Sequence, residues 1–190
     1  MSKIPQREII LAKAGELFHQ RGFGAVPLDD IFQACGVHRS VFYQHFSTKA
    51  ALGKAWLDRL RRRMTVFNQD FLSRPCERER RLRKYFYAMR DWVETNQFRS
   101  CQFSNTAACI GADTDGELAL IIDQYKRDQR QFFIDMAKLL VDEEDARQVG
   151  TTIFLLYSGA MTECQNLKAL WPLDDALAQA ERLCGVRRNA

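Results

Sequence analysis

Residues 38–49 read HRSVFYQHFSTK, a stretch that mixes hydrogen-bond donors with three aromatic rings. Arg39 carries a forked guanidinium that fits the two acceptors on a guanine edge, and the Gln44 amide fits adenine. Ser40 bonds either way, and Val41 offers methyls to a thymine methyl. Tyr43, His45, Ser47 and Lys49 are donors suited to phosphate oxygens. His38 stands at the head of the segment. The chemistry implied is recognition of a polyanion. Plainer readings exist: Tyr43 and His45 as the rim of an amphipathic helix, and Gln44 as a solvated residue. Cys35, His38 and His45 are three metal-ligand types, but no fourth lies close, so no metal is expected.

No enzyme constellation accompanies them. Gly22-Phe23-Gly24 lacks the further glycine and the preceding strand of a dinucleotide loop. All three histidines fall within the first 45 residues, and no Ser, His and Asp spacing marks a nucleophile and its base. The chain is expected not to be an enzyme and to need no cofactor. Six cysteines form no Cys-x-x-Cys pair, which suits free thiols in the cytoplasm. Cys35, Cys76 and Cys184 fit small apolar filling.

Charge is unevenly spread. Residues 1–100 hold 19 Lys and Arg against 10 Asp and Glu, while residues 101–190 hold 9 against 14. A basic first half suits a polyanion, and the acidic second half a different task. No apolar run approaches the roughly 20 residues of a membrane span. Residues 1–18 lack the apolar stretch and cleavage site of a secretory signal.

The elements that must position residues 38–49 are helical. Only four prolines and ten glycines punctuate 190 residues, and apolar positions recur three or four apart. The expected fold is all-α. Helices are expected over 5–21, 28–34 and 39–44, with Gly36 in the turn between the last two, a helix-turn-helix. A long helix over 48–72 should take Ser47 as its N-cap. Later helices are expected over 82–95, 102–110, 115–140, 143–168 and 174–184, with breaks at 113–116 and at Trp171-Pro172. The basic run SRPCERERRLRK at 73–84 fits a solvated helix start better than a nucleic-acid patch, because acids interrupt it.

Several pieces fall in one register: Arg21-Gly22-Phe23, Asp30-Ile31, Ala34-Cys35-Gly36-Val37, Phe42-Tyr43-Gln44-His45-Phe46 and Lys49-Ala50-Ala51-Leu52. Together they resemble the DNA-binding domain of the TetR family of bacterial transcriptional regulators. Later, Ser100-Cys101-Gln102-Phe103-Ser104-Asn105, Gly159-Ala160 and Pro172-Leu173-Asp174-Asp175-Ala176-Leu177 are similar to one branch of that family, some members of which sense electrophiles or oxidants through a cysteine. Three departures stand out. Val26-Pro27 replaces a common Thr-Ser pair, His38-Arg39-Ser40-Val41 replaces Ser-Lys-Gly-Thr, and Ser100 replaces a glycine.

The resemblance implies a three-helix DNA-binding module at 1–47 and a larger helical sensing and dimerisation domain at 48–190. It implies a homodimer, a repressor, that binds double-stranded palindromic operator DNA and leaves it on a small-molecule, oxidant or electrophile signal. His38, Arg39, Ser40, Val41, Tyr43, Gln44, His45, Ser47 and Lys49 become the DNA-binding set, with Phe42 and Phe46 facing inward. Cys101 becomes the candidate sensor, with Arg99 and a helix start nearby and Cys109 or Cys164 as possible resolving thiols. The rival signal is a non-covalent ligand among Phe86, Trp92, Phe103, Phe133 and Tyr157, each of which also reads as plain core. Leu155, Ala160 and Leu177 are expected at a dimer seam, with Gly159 allowing close approach. The rival function is a protein-binding adaptor that keeps this fold without sequence-specific DNA binding.

Overall fold

The computed structural model describes residues 5–110 and 116–186. Among the described residues it holds nine α-helices and no strand. They are α1 (Gln6–Arg21), α2 (Leu28–Cys35), α3 (Arg39–His45), α4 (Lys49–Ser73), α5 (Arg78–Thr95), α6 (Gln102–Ala107), α7 (Gly116–Lys138), α8 (Glu143–Leu167) and α9 (Trp171–Leu183). No described helix is long and apolar enough to cross a membrane. The chain gathers into two compact units, residues 1–64 with 102–125, and residues 65–101 with 126–190.

The first unit is built on α1 to α3. Ile10, Leu11, Ala14 and Phe18 are the buried stripe of α1. Phe18 meets Phe23 with ring centroids 5.0 Å apart and Trp56 at 5.2 Å. Gly36 ends α2 in the left-handed region at φ 62°, which a side chain disfavours. Its turn is closed by Gly36 N–H to Gln33 O at 3.2 Å and Val37 N–H to Phe32 O at 3.1 Å. The chain then enters α3, whose Phe42 is fully buried and whose C-cap Phe46 is nearly so, facing inward as expected. Glycines let the helices approach: a Cβ on Gly53 would sit 2.5 Å from the Phe23 ring, and one on Gly15 would sit 2.9 Å from Trp56. The same unit takes in α6 and the first part of α7. There Phe103 stacks on Tyr125 at 3.6 Å, and Gln102 Nε2 lies 3.1 Å from His19 Nδ1 of α1.

The long fourth helix starts differently from the sequence expectation. Thr48, not Ser47, caps it: Thr48 Oγ1 accepts from Ala51 N–H at 3.0 Å. Thr48 immediately precedes Lys49, so its hydroxyl stands at the cap position and meets the N–H of the third helical residue.

The second unit centres on Tyr85, which is fully buried. Phe132, Phe133 and Tyr157 surround it at centroid distances of 4.8, 5.4 and 5.8 Å. Phe86 is also buried there, so Phe86, Phe133 and Tyr157 stand in the core cluster. Phe103 belongs to the other unit.

Helix α5 begins at Arg78, one turn before the expected residue 82. The basic run that feeds it is only partly solvated. Arg81 is 7% exposed and donates to the carbonyls of Phe71 (3.3 Å), Leu72 (3.3 Å), Arg74 (3.2 Å) and Cys76 (3.5 Å). The last carbonyls of a helix lack intrahelical donors, and one buried guanidinium here serves those at the end of α4. Arg83 pairs with the buried Glu181 of α9, and Arg90 with Asp174 at 2.7 Å. Trp171-Pro172, expected as a break, opens α9 instead, because proline suits a first helical turn. Of the expected break at 113–116, residues 113–115 lie outside the described residues and Gly116 begins α7.

Helices α7 and α8 touch backbone to backbone at Gly150. A Cβ there would come within 2.5 Å of Ile134 Cα and 2.7 Å of Phe133 O. Neither atom can rotate away. Gly150→Ala should therefore lower unfolding stability by about 1–3 kcal/mol, read from urea melts. A midpoint equal to that of the parent would show that the two helices separate freely.

Candidate DNA-binding surface and thiol site

Every donor of residues 38–49 rides on one short helix and its two flanks. Phe42 and Phe46 point into the core, so the residues between and before them point out. His38, Arg39, Ser40, Tyr43, Gln44, His45 and Ser47 are exposed, and Val41 and Lys49 are half-buried. Tyr43 keeps 46% of its surface although its ring meets Phe42 edge-on at 5.3 Å. An aromatic with a hydroxyl, held rigidly on a surface, is an economical hydrogen-bond donor.

Two of the cations are engaged within the unit. Arg39 Nη2 lies 3.3 Å from Asp29 Oδ1, and its guanidinium sits 5.7 Å from the Phe32 ring centroid. Both partners come from α2, so the second helix holds the side chain at the head of the third. Lys49 Nζ lies 4.7 Å from the Phe23 ring centroid and 3.4 Å from the Gly24 carbonyl. Burial lowers the Lys49 pKa below the ordinary lysine value, while the nearby Cys109 thiol acts the other way. Lys49 therefore also ties the 22–27 loop to the start of α4. Sequence reasoning named Arg39 and Lys49 but missed Asp29, Phe32, Phe23 and Gly24, which hold them. Asp29 and Asp30 both lie in the first turn of α2, at the positive end of its dipole. Asp30 also pairs with Arg21 at 2.5 Å.

The candidate sensing thiol belongs to the second unit. Cys101 is half-buried and immediately precedes α6. Lys126 Nζ lies 3.9 Å from its Sγ. Lys126 comes from α7, 25 residues on, where spacing gave no signal. Of the two expected resolving thiols, Cys109 is exposed and Cys164 is buried. Burial raises the pKa of Cys164, and it pushes that of Cys184 up to about 11. Burial also raises that of Cys35. These three are neutral thiols near pH 7, which are poor nucleophiles.

Among the described residues, no three of His, Cys, Asp and Glu converge on a metal position. The arrangement presents a row of donors and cations on a rigid short helix. It suits contact with phosphates and base edges.

Comparison with known proteins agrees. Residues 10–55 match the family described as bacterial regulatory proteins, tetR family. The chain is 27% identical over 142 residues to the transcriptional repressor DhaR of Mycobacterium sp. (strain GP1), covering 71% of this chain and 69% of that one. It is 24% identical to the transcriptional repressor NemR of Escherichia coli (strain K12), over 93% of this chain and 92% of NemR. The crystal structure of reduced E. coli NemR superposes with a TM-score of 0.80 at 22% identity, over 94% of this chain and 97% of that one. A TetR-family transcriptional regulator from Streptomyces coelicolor superposes with a TM-score of 0.85 at 20% identity, over 95% and 94%. The all-α architecture is thus shared along nearly the whole chain, while the matched 10–55 segment carries the helix-turn-helix. Residues 10–55 thus carry the DNA-binding segment of the tetR family of bacterial regulatory proteins, and the chain as a whole is similar to TetR-family transcriptional regulators.

Proposed function

We propose that this regulator is a cytoplasmic homodimeric repressor, not an enzyme, that binds a palindromic operator and leaves it on a chemical signal. Residues 1–47 read DNA, and residues 48–190 sense the signal and dimerise. The observation that carries the reading is the outward row on α3, held by the inward Phe42 and Phe46. His38, Arg39, Ser40, Val41 and Gln44 face bases, and Tyr43, His45, Ser47 and Lys49 face phosphates. Two such helices spaced one turn of DNA apart, about 34–36 Å, read a two-fold site. Selection of bound sequences from a random duplex pool tests it, and a two-fold motif is expected. No enrichment and no salt-sensitive binding would favour the adaptor reading.

The two kinds of contact give different mutant signatures. Lys49→Ala should weaken binding to all duplexes alike and flatten the log–log salt slope by about one unit. Thermal melts of the free protein separate this from loss of the Phe23 and Gly24 contacts. Arg39→Ala should cost about 1–3 kcal/mol and relax one base position per half-site. An unchanged selected motif would remove Arg39 as a reader.

The dimer forms through α8 and α9. Ala160 and Leu177, expected at the seam, are 7% and 3% exposed within the protomer, so they are its core. Leu155 is 62% exposed, and nothing stands within 4 Å of a Cβ on Gly159. With Leu167, 51% exposed, they share one ridge of α8 at four-residue spacing. Exposed Trp171 and Leu183 extend the apolar surface on α9. Leu155→Arg should give folded monomers with much weaker operator binding. Sedimentation showing an intact dimer would exclude this ridge.

The signal acts at Cys101. Lys126 steadies the sulfur, and the next residue, Gln102, begins α6 and meets His19 of α1. A modified Cys101 disturbs the start of α6, and through it the helix-turn-helix. Cys101→Ser should bind operator normally yet fail to release it under a mild electrophile or hypochlorite. Release curves that coincide with those of the parent would exclude this thiol. A non-covalent ligand is the second reading. The buried Tyr85 hydroxyl and Asn68 Oδ1 have no protein hydrogen bond, so they suit a polar ligand group. Gln129 and Tyr157 lie beside that hydroxyl.

A further inference from the structure

Beside the helix-turn-helix, α1 and α4 frame an open groove of about 330 Å³. Arg7, Arg59, Arg62 and Arg63 line it with Glu8 and Asp58, so positive charge exceeds negative. The carboxylate of Glu8 is occupied: it pairs with Arg59 and lies 3.2 Å from Arg7. Arg62 and Arg63 are exposed on the outer part of α4, and neither makes an ion pair or hydrogen bond with the described residues. Arg62 and Arg63 therefore add positive charge to the groove that no described partner offsets, which favours an anionic ligand there.

The groove is continuous with the proposed DNA-reading surface. Arg7 at its mouth lies 5.1 Å over the ring of Phe46, the C-cap of α3. Guanidinium forks match the geometry of phosphate oxygens. We propose that this groove takes backbone phosphates of DNA lying outside the bases that α3 reads. Arg62 and Arg63 are the contacting residues, and Arg59 is a positioning residue locked by Glu8. This inference rests on the DNA-binding reading above and extends its footprint. It adds affinity without sequence preference, because phosphates carry none.

The test uses the full dimeric protein and two duplexes. One carries long flanks, and the other is trimmed to the selected bases. The variant Arg62→Ala/Arg63→Ala should keep the selected motif and bind the long duplex more weakly. Its salt slope should fall by about one unit for each phosphate lost. With two lost, its affinity drop between 50 and 200 mM salt should be about tenfold smaller than that of the parent. On the trimmed duplex the two proteins should bind alike. Arg62→Lys/Arg63→Lys should restore most of the slope, since charge survives while the fork does not. An unaltered slope and affinity on the long duplex would overturn the groove while leaving the DNA reading intact. So would pyrophosphate that stabilises the parent thermally but not the variant, with DNA binding equal, because the groove would then hold a free anion. A parent that binds neither duplex would sink both proposals.

Discussion

A helix of seven residues does not hold itself together in water. Nucleation costs more than so few hydrogen bonds return, and isolated helices become stable only at about 12–15 residues. Helix α3 spans Arg39–His45 and has no side-chain N-cap. What keeps it helical is the burial of Phe42 and Phe46, which meet each other at 5.9 Å. Phe32 of α2 meets Phe42 at 5.2 Å and anchors the pair to the second helix. Each outward side chain of the surface inherits its direction from those two rings. A polar residue at Phe42 would not subtract one contact; it would release the helix and scatter the donors it carries.

The same constraint explains the local electrostatics. A basic surface that waits for a polyanion is self-repelling while it waits. The first unit moderates this with pairs that ligand can replace. Arg39 rests on Asp29 at 3.3 Å, where the side chains are 68% and 78% exposed. Exposed pairs of this kind contribute little, between about 0 and 1 kcal/mol, so Asp29 holds Arg39 only loosely. Lys49 is held differently, by an aromatic face and a backbone carbonyl, which leave donor capacity unused on a three-proton ammonium. Arg21 and Asp30 close the α1–α2 corner at 2.5 Å and belong to the scaffold. Acidic residues in a DNA-binding module thus serve position rather than oppose binding.

The legible part of the fold was the part governed by local rules. Helical periodicity gave the elements, and the inward aromatics of α3 followed from the family resemblance. The glycine at 36 followed from the left-handed turn that its position demands. What stayed hidden was long-range or depended on a choice between equals. Ser47 and Thr48 are both capping residues, and backbone direction alone selects Thr48. Arg81 sits in a run that composition marks as solvated, yet the free carbonyls of α4, brought near by the turn, bury it. Trp171-Pro172 carries the signal of a break and of a helix start alike. Ala160 and Leu177 share the apolar character of the seam residues, and only burial against their own protomer separates them from Leu155. For the site, donor identity was readable and the residues that hold the donors were not. Asp29 lies ten positions from Arg39 and Lys126 lies 25 from Cys101.

Close glycine contacts tie the end of α6 to its neighbours. In the first unit, Gly15 faces Trp56, Gly53 faces Phe23, and a Cβ on Gly24 would stand 3.2 Å from that of Cys109. These junctions have no spare volume, so a shift on one side must move the other rather than be absorbed. Phe23 is the shared element: it meets Phe18 of α1, the backbone of α4 at Gly53, and the Lys49 ammonium. Cys109, just past α6, rests against Gly24, the next residue. These contacts link the end of α6 to Phe23 and, through it, to Phe18 of α1 and Lys49 at the start of α4. Tight packing at glycines, rather than any single strong bond, joins α6 to the helix-turn-helix.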